Sequence, residues 1–346
     1  MQPVTETVTD HGAAPGRSAP PEAGRKSRRN KTIDLSAEEG AQYLARCITL
    51  SGSAELTGVM DRTINGDCLR VLPLLPRRSV DLLICDPPYN KSLSFAGKKF
   101  SRTSHSGYAA YTEEWLTAAL PLLKETGSVY VCCDWQSGID IVPVLEKYLT
   151  VRNRITWQRE KGRGAMRNWK SGMEDIWFAT VSDRYTFNVG DVKVRRRVLA
   201  PYRENGQPKD WEETEDGRFR NTFPSNFWSD ISVPYWSMPE NTAHPTQKPE
   251  KLLAKLILAS SNPGDLVLDP FLGSGSTSVT AKKLGRHFIG IEQSAQYCVW
   301  AEKRLEMAES DRSIQGYRDG VFWDRNTSHE QLTAGKNAGS GEPPEA

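Results

Sequence analysis

Asp269-Pro270-Phe271-Leu272-Gly273-Ser274-Gly275-Ser276-Thr277 is the stretch that decides the fold. Before it, Asp265-Leu266-Val267-Leu268 is a short apolar run; after it, residues 278–285 read as one helix closed by Gly285. The order is strand, tight glycine turn, helix. Glycines let the backbone approach a ligand, and a helix start offers free N–H donors to a carboxylate or phosphate. The following strand, residues 286–291, ends on Glu292, about where an acidic residue would hydrogen-bond ribose hydroxyls. No Lys-Ser or Lys-Thr pair closes the glycines, which argues against a phosphate-binding P-loop. Taken alone, these residues fit an ordinary α/β turn as well as a cofactor turn.

The chain of 346 residues is long enough for one large α/β domain with a substantial insertion. A net charge of +2 proves no nucleic-acid partner, so local clusters must carry that case. The six cysteines are scattered, with Cys132 and Cys133 adjacent and no C-x-x-C pair, which suggests reduced thiols in a cytoplasmic protein. No apolar run reaches membrane-spanning length, and no His, Cys and carboxylate cluster has metal-ligand spacing.

A second strand-like run, residues 80–85, leads directly into Asp86-Pro87-Pro88-Tyr89, and a third motif, His244-Pro245-Thr246-Gln247-Lys248-Pro249, precedes the glycine turn. These three motifs, in this order, resemble those of the β group of S-adenosylmethionine-dependent DNA amino-methyltransferases, the adenine-N6 type of restriction–modification systems. The likeness covers roughly residues 62–305. It implies S-adenosyl-L-methionine as cofactor, double-stranded DNA as substrate, and a cognate restriction endonuclease as functional companion. A monomer or a homodimer is compatible with it, and a membrane is not involved.

By the same resemblance Asp86, Pro87, Pro88 and Tyr89 are catalytic. The cofactor would be held by Asp67, Cys68, His244, Thr246, Lys248, Asp269, Phe271, Gly273, Ser274, Gly275 and Glu292, with Lys248 or a backbone amide facing its carboxylate. Asp67 fits equally well as the cap of a short helix, and His244 as a packed histidine. The chemistry suits the tetrapeptide. An exocyclic amine is a poor nucleophile because its lone pair is delocalised into the ring. Asp86 can accept one of its hydrogens and the Pro87 carbonyl another, both held by proline-fixed backbone. Tyr89 would stack on the base, which must first leave the duplex.

The expected fold is an α/β, doubly wound, Rossmann-like sheet of seven strands, beginning near Arg62, Val80, Gly127, Val151, Asp175, Asp265 and Arg286. Ser36-Ala37-Glu38-Glu39 reads as a capping box opening a helix, and further helices are expected over residues 69–75, 113–123, 139–148, 250–258 and 294–306. Pro143 is expected in the first turn of its helix, and residues 90–111 as a long lid loop. The domain plan is a basic tail (1–31), a first catalytic part (32–181), a target-recognition insert (182–243), a cofactor-binding part (244–325) and a second tail (326–346), both tails having the composition of disordered chain.

In the insert, Arg195, Arg196, Arg197, Arg218 and Arg220 alternate with aromatics, a pattern suited to phosphate contact and base stacking. Most of its tryptophans are expected to be core. Two other functions remain open on these residues: cytosine-N4 methylation, whose enzymes more often carry Ser before Pro-Pro-Tyr, and DNA binding without catalysis.

Overall fold

Strands that are apolar on both faces need cover on both faces, and here helices supply it. The computed structural model describes residues 29–95, 98–159, 169–199, 202–214 and 217–324. The main sheet contains β1 (Arg62–Asn65), β2 (Val80–Cys85), β3 (Leu123–Cys133), β4 (Thr150–Gln158), β5 (Met173–Thr180), β6 (Phe227–Trp228), β7 (Leu266–Asp269) and β8 (His287–Glu292). Its spatial order is β1-β8-β7-β2-β3-β5-β4-β6. All neighbours are parallel except at β5, which runs antiparallel to β3 and β4.

All seven expected strands are present. The sheet is eight strands wide because Phe227 and Trp228 of the insert pair with Thr156 and Trp157. A two-residue strand carries no periodicity to read.

The longer helices are α1 (Ala37–Leu44), α2 (His105–Ala119), α3 (Trp135–Tyr148), α4 (Glu250–Ser260), α5 (Ser276–Lys283) and α6 (Ala295–Ser310), and single helical turns lie at Leu56–Val59 and Cys68–Val71. Alternation along the strands divides the core. Leu83, Cys85, Val129, Val131 and Leu268 pack with Trp115 and Leu116 of α2 and Ile141 and Leu145 of α3. Leu82, Ile84, Tyr130 and Val267 face Leu252 and Leu256 of α4, Val279 of α5 and Leu305 of α6. Ser36 caps α1 in a full capping box with Glu39.

Three expected boundaries move. The lid over residues 90–111 is shorter, because α2 already starts at His105, where Ser104 accepts from the Gly107 amide at 3.1 Å. Tyr108, Thr112, Trp115 and Leu116 then form its buried stripe, which the Ser- and Gly-rich start obscures. Helix α3 starts at Trp135, with Asp134 accepting from Ser137 at 2.9 Å, so Pro143 lies inside it and not in its first turn. Strand β3 starts at Leu123, before Gly127. The two tails at 1–28 and 325–346, and the connector at 160–168, lie outside the described residues.

The insert forms a second sheet whose strands run in the order Glu212–Thr214, Gly217–Thr222, Val194–Arg197, Val321–Trp323, Tyr317–Arg318. Its last two strands come from the end of the described chain. Buried charge ties the insert to α4: Asp230, after β6, receives Lys255 at 2.8 Å and Lys251 at 2.9 Å. Burial pushes the Asp230 carboxyl up, but the two lysines outweigh it and hold it at about 2. Lys255 also lies over the rings of Trp228 (4.9 Å) and Phe322 (5.4 Å).

Asp230→Ala strands two buried ammonium groups. It should lower unfolding free energy by about 3–5 kcal/mol, read as a fall in the urea midpoint at pH 7. An unchanged midpoint would show that the lysines find other partners.

Candidate active site

Strands β2 and β7 are neighbours although they come from opposite ends of the chain, with Leu82 opposite Val267 and Leu83 opposite Leu268. The chain leaves them in opposite directions, to β3 and to β8, so a crevice opens at their carboxyl ends. Asp86 leaves one strand and Asp269 ends the other. Both line a cavity of ≈ 400 Å³.

The glycine turn forms one wall. Gly273 has φ +56° and Gly275 φ +87°, a region that favours glycine. A Cβ on Gly275 would lie 2.7 Å from Ala301, and one on Gly273 would lie 3.1 Å from the His244 ring. Asp269 is the internal brace: its carboxylate accepts from the Phe271 amide (2.9 Å) and the Thr277 hydroxyl (2.5 Å), and burial pushes it up to about 7. Arg304 of α6, fully buried, donates to the Ser274 carbonyl (2.8 Å) and Ser276 hydroxyl (2.9 Å) and is anchored on Glu250 (2.9 Å).

Glu292 is placed as expected at the end of β8, facing the turn. One oxygen accepts from the Gly273 amide at 2.9 Å and the other from the Ser294 amide at 2.7 Å. Asp67 caps a helical turn through the Leu69 amide at 2.9 Å and also lines the cavity, together with Cys68, Phe271 and Ser274. Asp67 is thus a helix cap that also borders the cavity.

His244 and Thr246 border the same cavity. Burial, then the charges of Lys248 and Arg304, pull the His244 imidazole down to about 4, so it is neutral near pH 7. Its ring packs edge-on to Tyr297 with centroids 4.4 Å apart, and its Nδ1 accepts from the Thr246 amide at 3.3 Å. Gln247 holds the motif's backbone: it accepts from Thr242 and donates to the Glu240 carbonyl at 2.6 Å.

The wall that carries Asp-Pro-Pro-Tyr holds a charged cluster. Lys248 Nζ lies 2.5 Å from Asp86 Oδ2, 3.2 Å from the Tyr89 hydroxyl and 3.4 Å from Glu174 Oε2. Tyr89 donates toward Asp86 Oδ1 at 3.0 Å and lies 3.3 Å from Glu174 Oε2. Arg159 is paired to Glu174 Oε1. Lys248 thus turns its ammonium to Asp86 and not to a cofactor carboxylate, while its segment still lines the cavity. Burial pulls that ammonium down, but the carboxylates of Asp86 and Glu174 outweigh it and hold it above the ordinary lysine range. Burial, then the same two carboxylates, push the Tyr89 phenol well above its usual value. Tyr108 donates to the Pro88 carbonyl at 2.9 Å, fixing the Pro-Pro turn from α2.

Sequence reasoning missed Glu174, Arg304 and Tyr108. Glu174 had one signal: the acidic pair Glu174-Asp175 opening the apolar run Ile-Trp-Phe-Ala.

The five insert arginines separate. Arg195 is mostly buried, paired to Glu212 and stacked on Phe219 (5.3 Å) and Trp323 (5.2 Å). Arg218 bonds Glu213 at 3.1 Å and lies over Trp211 at 5.5 Å. Arg196, Arg197 and Arg220 are exposed. Trp211 and Trp228 are buried, while Phe223, Phe227 and Trp236 are exposed.

An open α/β sheet with a cavity at its switch point, a glycine turn on one wall and Asp-Pro-Pro-Tyr on the other, defines a transferase-like site. Residues 80–303 match the DNA methylase family, and the chain belongs to that family. It is 36% identical over 257 residues to the DNA adenine methyltransferase YhdJ of Escherichia coli (strain K12), covering 71% of this chain and 82% of that one. It is 33% identical over 248 residues to the Type II methyltransferase M.HpaI of Haemophilus parainfluenzae, covering 71% and 74%. Among solved structures, the cytosine-N4-specific PvuII DNA methyltransferase shares the fold, with TM-score 0.52 and 16% identity over 72% of this chain and 92% of that one.

Gly273→Val places a branched side chain at positive φ against His244. The variant should fold yet lose calorimetrically detectable S-adenosylmethionine binding. Binding within threefold of wild type would remove the turn from the cofactor site.

Proposed function

We propose that this protein transfers a methyl group from S-adenosyl-L-methionine to the N6 amine of an adenine flipped out of duplex DNA. The observation that carries this reading is the convergence of Asp86 and the Gly273–Gly275 turn on one cavity from adjacent strands. Asp86 stands where adenine-specific sequences carry an acid, and a relative at 36% identity is named an adenine methyltransferase.

The cavity fits the cofactor. Its volume suits a small-molecule site, Gly273 and Ser274 line it with little or no side chain, and Glu292 stands beside that turn at the end of β8, where it could receive ribose hydroxyls. When bound, S-adenosylmethionine supplies an electrophilic sulfonium methyl. The protein's task is to position the amine and drain its hydrogens into acceptors. Asp86 accepts one and the Pro87 carbonyl the other, since the Pro88 carbonyl is engaged by Tyr108. This turns the nitrogen lone pair toward the methyl, and in-line positioning then supplies much of the rate. Tyr89 covers the base face. Arg196, Arg197 and Arg220 on the second sheet would bind phosphates, and the exposed Phe223, Phe227 and Trp236 of the insert would stack on bases.

Asp86→Ala should bind cofactor normally and transfer about 10²–10³ more slowly in a single turnover, because the bond to the amine tightens as the nitrogen gains charge. Asp86→Asn, which keeps an acceptor oxygen, should be the milder change. Near-wild-type transfer by Asp86→Ala would remove Asp86 from the mechanism. Replacing Arg196, Arg197 and Arg220 together with Ala should weaken DNA binding and flatten its dependence on salt, with a slope smaller by about 0.9 for each phosphate left unneutralised. Cofactor affinity should not change, and an unaltered salt slope would place the DNA elsewhere.

A further inference from the structure

In this structure both oxygens of Asp86 are engaged: Oδ2 by Lys248 at 2.5 Å, Oδ1 by Tyr89 at 3.0 Å. A carboxylate held this closely by an ammonium is a weak acceptor for a further group. The proposed chemistry needs Asp86 as a strong acceptor for the target amine. Something must take over its present donors.

Glu174 stands where that acceptor is required. It is the second residue of β5, the antiparallel strand, whose start therefore lies at the carboxyl edge of the parallel strands. Its side chain is 7% exposed. Arg159 occupies Oε1, while Oε2 points at both donors, 3.3 Å from the Tyr89 hydroxyl and 3.4 Å from Lys248 Nζ. Neither distance is a tight bond, and both are short enough for a small side-chain rotation to make one. Charge is unaltered by such a move, because the two carboxylates and two cations stay within the cluster.

We propose that Glu174 is the receiving group of a handover: when the target amine engages Asp86, Lys248 and Tyr89 shift their hydrogen bonds onto Glu174 Oε2. Glu174 is thus a positioning residue for methyl transfer, acting through Lys248 and Tyr89 without touching the reacting atoms. No proton changes owner, since the ammonium and the phenol only redirect N–H and O–H bonds. The inference rests on the role of Asp86 proposed above.

The test is Glu174→Gln, which keeps size and one acceptor oxygen but removes the charge. In wild type, Lys248 is faced by Asp86 and Tyr89 from the loop after β2, Glu174 from β5 and Cys132 from β3; His244 stands on its own segment and Arg159 lies behind Glu174. Burial keeps the Cys132 thiol and the His244 ring neutral near pH 7, so the two carboxylates alone hold the ammonium charged. With Glu174 neutralised, Lys248 loses its proton more readily, and a neutral amine releases Asp86.

The expected result is cofactor affinity within threefold of wild type by calorimetry. Single-turnover transfer to unmethylated plasmid DNA should be about 10–100-fold slower at pH 7, recovering by up to tenfold per pH unit toward pH 10 while wild type stays flatter. Wild-type rates would overturn the proposal. A loss of equal size at every pH would also overturn it, assigning Glu174 to packing. If Glu174→Gln does not fold, Glu174→Asp keeps the charge for Arg159 and withdraws the acceptor from Lys248: slower transfer supports the handover and an unchanged rate refutes it. Asp86→Ala run in parallel separates the two levels, because near-wild-type transfer there would refute the role of Asp86 whatever Glu174 does.

Discussion

The ion pair between Lys248 and Asp86 joins positions 162 residues apart and fixes the site to the fold. Buried charges persist only when paired, and removing one partner leaves the other uncompensated at a cost of about 3–5 kcal/mol. The same constraint draws in Glu174 and Arg159, so the loop after β2, the start of β5, the end of β4 and the segment before α4 meet at one point. Because β5 is antiparallel, its first residues reach the edge where the parallel strands end. A parallel strand there would carry Glu174 to the far side of the sheet.

The wall formed by the glycine turn is built on the same principle with different groups. Arg304, buried on α6, binds the turn through Ser274 and Ser276 and is itself held by Glu250 at the start of α4. Glu250 also receives Lys283 at 2.7 Å. Glu240 lies beside it, and burial together with the Glu250 charge pushes its carboxyl up to about 7. Helices α4, α5 and α6 are thereby tied to the turn they frame. The insert is bound to α4 as well, through Asp230, Lys251 and Lys255. One helix thus couples the sheet that carries Arg196, Arg197 and Arg220 to the segment that carries Lys248.

Much of this was readable in the chain because it depends on local rules. Asp-Pro-Phe-Leu-Gly-Ser-Gly announces a strand, a turn at positive φ and a helix, and the apolar runs at 80–85 and 266–268 announce buried strands. The partners of those motifs were not readable. Glu174, Arg159 and Arg304 act through contacts between distant segments, and a single acidic or basic residue near an apolar element has no local signature. The start of α2 was hidden because Ser104 and Gly107 look like loop chemistry until the Tyr108, Thr112, Trp115, Leu116 stripe is seen to be buried. The pairing of Val321–Trp323 with Val194–Arg197 is likewise a tertiary choice that neither segment declares alone.

The central claim is that this cavity methylates the amine of adenine. It is tested most directly by incubating the full-length protein with S-adenosylmethionine labelled on its methyl group and unmethylated duplex DNA, then digesting the DNA to nucleosides. The expected result is label in N6-methyladenosine, as the deoxynucleoside, and in no other base. Label in N4-methylcytosine would contradict the adenine assignment, and unlabelled DNA despite measurable cofactor binding would contradict the catalytic account.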